Sequence, residues 1–176
     1  MEAPFVPPSM EAHWAPDVVV LAHHGLLHAG PMLVARDSAG QVLTEFPLAG
    51  VAAAEQHYPT WALGPFSRIE VEGELPDRPG VFALFSDGRV RYVGSAENLR
   101  RTLGPRGLGR VTRRDCQHTS REDGARLNRR ITIEAIAGRP VDLFLLALDT
   151  RRDAEVPAAF ARQIRAVTHS DWLLPA

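Results

Sequence analysis

Gly80-Val81-Phe82-Ala83-Leu84-Phe85-Ser86-Asp87-Gly88-Arg89-Val90-Arg91-Tyr92-Val93-Gly94 is the stretch that decides the fold. Two apolar, β-type runs flank Asp87-Gly88. Both central positions of a type I′ turn require φ > 0, so an Asp-Gly between such runs predicts a β-hairpin. Directly after it, Ser95-Ala96-Glu97-Asn98-Leu99-Arg100-Arg101 reads as a helix start near residues 96–103, with Ser95 as its N-cap. Pro76-Asp77-Arg78-Pro79-Gly80 is a strong turn and marks the start of the main domain.

Downstream, residues 104–109 (GPRGLG) form a loop, and residues 110–124 are polar, basic and partly helical. Residues 125–137 form an amphipathic helix, because Leu127, Ile131 and Ala135 recur every four residues while Arg126, Arg129 and Arg130 lie off that stripe. Gly138 stops it. A buried strand follows at 141–148, then a helix at 154–167 with Val156, Phe160, Ile164 and Val167 on one face. Trp172 anchors the tail. The order β-β-α-α-β-α predicts an α+β domain: a small three-stranded antiparallel sheet flanked by helices.

Upstream, residues 1–16 read as a proline-rich arm and residues 17–23 as a buried strand. A second hairpin is expected over 31–46, turning at Ser38-Ala39-Gly40, then a short helix over 48–58 ended by Pro59. A connector with a strand at 68–71 completes a mostly β extension, residues 1–75, ahead of the domain at 76–176. His23, His24 and His28 are noted as metal-ligand candidates, but neighbouring strand residues face opposite ways and Gly25 argues against a helix that would converge them.

Composition excludes some classes. The apolar fraction of 45% and charged fraction of 23% are those of an ordinary globular chain. No apolar run is long enough to cross a bilayer. The first 16 residues lack a basic segment followed by an apolar one, so a cytoplasmic location is expected. Cys116 is the sole cysteine, which rules out an internal disulfide and fits a reducing compartment.

Charge is unevenly placed. Residues 1–88 carry 3 Arg against 11 acidic residues, residues 89–139 carry 13 against 5, and residues 140–176 carry 4 against 5. There is no lysine, a pattern codon bias explains, but codon bias does not concentrate the positive charge in one third of the chain. A local basic block on a near-neutral protein is the footprint of a polyanion ligand, and the arginine fork suits phosphate.

A hairpin ending in glycine that runs into a basic helix, followed by α-β-α, resembles the GIY-YIG nuclease fold over residues 76–176. The resemblance implies phosphodiester hydrolysis with one divalent metal, usually magnesium, held by a glutamate, with two tyrosines near the attacking water and arginines on the phosphate. Gly80 and Gly94 match the motif glycines, and Tyr92 matches the second tyrosine. Phe82 stands at the first tyrosine and has no hydroxyl to position water; Ser95 stands where many members carry lysine. The helix arginine falls at Thr102 by strict register; Arg101 lies one residue earlier, about 100° around the helix, and Arg106 and Arg110 are the loop arginines that would reach instead. If Trp172 matches a family tryptophan, the glutamate position falls near Phe160 or Ala161, which bind no hard cation. Glu134 and Glu155 are then the metal-ligand candidates, and His118 a general base. Ser120 to Asn128 resembles a family segment through Arg126 and Asn128.

The readings that follow are three. One is a nucleic-acid-binding protein, with DNA ahead of RNA as partner, whose phosphodiesterase chemistry is weakened or lost. Its phosphate contacts would be Arg100, Arg101, Arg106, Arg110, Arg113, Arg114, Arg126, Arg129 and Arg130. Another is an active magnesium-dependent endonuclease with a rearranged site around Tyr92, Arg101 and His118. The last is a protein–protein adaptor, in which the acidic first half covers the basic block.

Overall fold

The computed structural model describes residues 14–149 and 156–172. Its elements run β1 (Val18–Leu21), β2 (His24–Val34), α1 (Ala54–His57), β3 (Ile69–Val71), β4 (Gly80–Ser86), β5 (Arg89–Ala96), α2 (Leu99–Leu103), α3 (Arg113–Gln117), α4 (Glu122–Ile136), β6 (Val141–Ala147) and α5 (Val156–Val167). The fold is α+β, as its pattern predicts, but the sheet differs from expectation. It has six antiparallel strands rather than three, in the order β1-β2-β6-β4-β5, with β3 paired to β2. The extra strands join because β2 hydrogen-bonds to β6, so residues before and after position 75 share one sheet.

The hairpin of β4 and β5, at one end of the sheet, forms as the Asp-Gly signal requires. Asp87 (φ 51°) and Gly88 (φ 68°) make the turn, and the pairing runs from Ser86–Arg89 to Gly80–Ala96. Both motif glycines are paired, and both are needed for space. A Cβ on Gly80 would lie 2.4 Å from the Leu146 carbonyl oxygen; one on Gly94 would lie 2.6 Å from the Tyr92 ring and 2.7 Å from that of Phe82. Ser95 does not cap the helix. It remains in β5 opposite Val81, and the cap passes to Asn98, whose Oδ1 accepts from the Arg101 N–H at 2.9 Å.

Every residue of β4 is buried because the sheet is covered on both faces. Phe82 and Leu84 point with Leu143 and Leu145 toward Leu99 and Leu103 of α2 and Leu127 and Ile131 of α4. Val81, Ala83, Phe85 and Phe144 point the other way, to Ala161 and Ile164 of α5. A third cluster, Leu48, Ala54, Ala62, Phe66, Val111, Cys116 and Ala125, joins the 48–66 segment to α3 and α4.

Upstream expectations are corrected by long-range pairing. The hairpin expected over 31–46 is reduced to a single bridge, Arg36 to Val42, and Met32 to Val34 pair instead with β3. The true hairpin lies earlier, β1 to β2, across a two-residue turn in which Ala22 (φ 48°) and His23 (φ 67°) both adopt the left-handed conformation. The helix expected over 48–58 is the single turn α1.

The two ends of the sheet are finished differently. At β5, a bulge leaves Arg91 without a cross-strand partner; the Trp172 N–H donates to its carbonyl at 2.9 Å, and its guanidinium pairs with Asp171. At β1 no such closure exists among the described residues, and Val18 and Val20 are 47% and 69% exposed. No helix among the described residues is long and apolar enough to cross a membrane.

Candidate nucleic-acid interface

A cleft of about 300 Å³ opens on the α2/α4 side of the hairpin. Phe82 and Tyr92 form its floor, their ring centroids 5.7 Å apart. They sit side by side because the bulge keeps Leu84 opposite Tyr92 and Phe82 opposite Gly94, which has no side chain to separate the rings. Arg101 and Thr102 of α2 form one wall, and Arg110 closes it from the loop after α2. The facing wall is Asp115, Arg121 and Asp123, from α3, the turn after it and the first turn of α4.

The charges in this cleft are not equivalent. Asp115 is committed: it accepts from the Thr112 N–H at 2.8 Å in a capping box that starts α3, and pairs with Arg121 at 3.2 Å. Arg121 also donates to the Arg106 carbonyl at 3.0 Å. Among the described residues Arg101 meets only Glu97, at 3.6 Å, with both side chains mostly exposed. Arg110 and Asp123 make no hydrogen bond or ion pair among the described residues. Burial pushes the Tyr92 phenol above its ordinary value, and the nearby Asp123 carboxylate pushes it the same way against an opposing pull from Arg165. Tyr92 is therefore a neutral hydrogen-bonding phenol at any ordinary pH.

Of the expected site residues, the cleft brings together Tyr92, Arg101 and Arg110, with Phe82 beneath them. Thr102, the strict-register position, lines the same wall as Arg101, so both helix candidates reach it. His118 is not there; it faces a different groove beyond α3. Several arginines of the basic block serve the fold. The Nε of Arg100 donates to the Leu75 carbonyl at 3.0 Å, that of Arg113 to Pro47 at 3.0 Å, and that of Arg129 to Gly64 at 2.8 Å. Arg126 pairs with Glu122 and lies 5.7 Å from the Trp61 ring centroid. Arg106, Arg114 and Arg130 extend side chains that find no partner among the described residues.

The metal candidates fare unequally. Both oxygens of Glu134 are taken: Arg139 donates to them at 2.6 and 2.9 Å, and the Ser86 hydroxyl adds a bond of 2.9 Å. That arrangement ties the end of α4 to the hairpin tip and holds the carboxyl below its usual range, chiefly through the Arg139 hydrogen bonds. Glu155 lies outside the described residues. Ala161 is fully buried under the sheet and the Phe160 ring packs edge-on against His24 at 4.6 Å, so neither presents a ligand. His28 bonds Asp142 at 2.8 Å. Among the described residues no group of three or more His, Cys, Asp or Glu could hold a metal ion. What remains is Asp123, a single available carboxylate beside Tyr92. Magnesium is commonly held by one or two carboxylates with waters and substrate phosphate completing its shell, so Asp123 fits an ion shared with a bound phosphate rather than one caged by the protein.

Two residues were underrated by sequence reasoning. Asp123 stands in Ser120-Arg121-Glu122-Asp123-Gly124, within the stretch read as polar, basic and partly helical, and the structure places it in the first turn of α4. Asn128 is fully buried: its Nδ2 donates to the Ser67 and Leu108 carbonyls at 2.9 and 2.8 Å, and its Oδ1 accepts from the Ser67 N–H at 3.1 Å. It fastens the N-terminal segment and the cleft loop to α4. Cys116 is buried and its thiol is pushed up to about 11, first by burial and then by Asp115, so it is no nucleophile.

No family model, curated protein or solved structure matches this chain.

Proposed function

We propose that the cleft receives the sugar-phosphate backbone of a nucleic acid, DNA ahead of RNA, on a GIY-YIG-like scaffold whose hydrolytic chemistry is weakened or lost. The observation that carries this reading is the contrast within the cleft: among the described residues Arg110 has no partner and Arg101 has a single exposed ion pair. Such a pair is worth about 0–1 kcal/mol and yields readily to a phosphate. The floor supports the loss of chemistry, since Phe82 supplies no hydroxyl beside Tyr92. Binding that falls by an order of magnitude or more between about 50 and about 200 mM salt is expected. Fluorescence polarisation with a labelled duplex measures it, and salt-independent binding, or none at low salt, defeats the proposal.

A second reading is favoured by Asp123. With magnesium shared between that carboxylate and the phosphate, the ion would polarise the phosphoryl oxygens, Arg101 and Arg110 would hold the strand, and the Tyr92 hydroxyl would orient a water. Nicking of supercoiled plasmid in magnesium, abolished by Asp123→Asn and by Tyr92→Phe, would establish it. An intact plasmid at high protein concentration leaves the binding reading standing alone.

A further inference from the structure

The ridge formed by α3 and the turn after it has two sides. Asp115, Ser120 and Arg121 face the cleft; Cys116, Gln117, His118 and Thr119 face a separate groove of about 390 Å³. The far wall of that groove is aromatic, formed by Tyr58 and Trp61 with Pro59 between them in sequence. Neither ring is fully buried: each rests its inner part on the third core cluster and leaves the rest at the groove.

Both rings are held before anything binds. The Arg126 guanidinium lies 5.7 Å from the Trp61 ring centroid and is itself fixed by Glu122. The Tyr58 hydroxyl accepts from Gln117 Nε2 at 3.3 Å, which ties the ring to the ridge. Rigid aromatic surface of this kind binds at low entropic cost. At the groove Glu122 is paired with Arg126, and along the ridge Asp115 is paired with Arg121 while Arg114 has no acidic partner among the described residues. His57 and His118 stand at the same groove.

We infer that the Tyr58/Trp61 groove is a stacking subsite for an unpaired base of a single-stranded nucleic acid whose phosphates cross the α3 ridge into the cleft. The inference rests on the phosphate-binding reading of the cleft and adds the class of strand. Every base has a π-face, so a tryptophan platform accepts any sequence, but only when the base is free of its partner. Duplex bases are stacked on one another and cannot enter. A positively charged ridge between an aromatic groove and a phosphate cleft therefore selects unpaired strands or frayed ends.

The test uses the full chain and a thymidine oligomer, compared with a duplex of equal length. Tryptophan fluorescence is expected to be quenched by the single strand and not by the duplex. Trp61→Phe should keep the affinity and remove most of the quench, since Trp172 is buried and Trp14 stacks on Phe85 away from the groove. Trp61→Ala should weaken single-strand binding about tenfold, the loss of one stacked base, and leave duplex binding unchanged. If that variant fails to fold, His118→Glu tests the same path, because a negative charge on the ridge should weaken single strands more than duplex. Equal affinity for both forms, or a quench that survives Trp61→Phe, overturns the subsite while the cleft reading stands. Failure of the unaltered chain to bind either form at low salt overturns both.

Discussion

The arginines at the seam between the N-terminal segment and the helices, and those of the cleft, come from the same basic block and do opposite work. At the seam, Arg113 and Arg129 donate to the carbonyls of Pro47 and Gly64. At the cleft, among the described residues, Arg110 donates to nothing and Arg101 pairs with one exposed carboxylate. A tally of charge does not separate the two groups. An arginine spent on a carbonyl still carries its charge, but its fork is occupied, and its loss is felt by the fold before it is felt by a ligand.

That contrast is open to direct attack. The largest effect is expected at the seam's centre. Asn128→Ala strands three buried backbone groups at once, each costing about 1–3 kcal/mol, so a loss on the order of 4 kcal/mol is expected in a denaturant melt. Nucleic-acid affinity per folded molecule should not change; a loss below about 1 kcal/mol would show that the seam relaxes around the missing amide. Next comes Arg129→Ala, which should cost about 2 kcal/mol by leaving the Gly64 carbonyl without its charged donor. Arg110→Ala should leave stability within about 0.5 kcal/mol and reduce the salt slope of binding by about 1. An exchange of these two outcomes would erase the distinction between seam and cleft.

A smaller effect belongs to Glu134, which stands at the hairpin tip and in neither region. Its folded pKa is depressed below the ordinary 4.5, so its contribution to stability is complete above that value and is lost as pH falls through the depressed one. Glu134→Gln should flatten the acid limb of a stability–pH curve and leave the neutral region parallel to that of the unaltered protein. The smallest change in stability or binding is expected for Tyr92→Phe, and this variant separates binding from cleavage.

How much of this was written locally can be read residue by residue. The hairpin was legible because Asp87-Gly88 satisfies a backbone requirement that few dipeptides meet. The boundary after it was not, since Ser95 and Asn98 are equally good caps. Pairing of Ser95 and Ala96 with β4 decided between them. The upstream strands were recognised as β-type, but their entry into the central sheet depends on β2 meeting β6 more than a hundred positions away, as His28 meets Phe144. Short-range patterns carry no trace of such pairing. Tyr92, Arg101 and Arg110 were expected together by position and line one cleft, whereas Asp123 was hidden in residues 110–124, a stretch read only as polar, basic and partly helical. Asn128 was noted as a match to a family segment, but its role was not legible: Leu127 and Ile131 announce an apolar face, and only the backbone it holds, at Ser67 and Leu108, reveals why a polar amide lies within it.

The unequal finish of the sheet has a consequence for self-association. A molecule with one open border can join a copy of itself once, and growth then stops at a pair. A molecule with two open borders has no such limit and extends as a row. Trp172 and Asp171, by fastening the tail across Arg91, obstruct the β5 border at that point, and among the described residues nothing comparable obstructs β1.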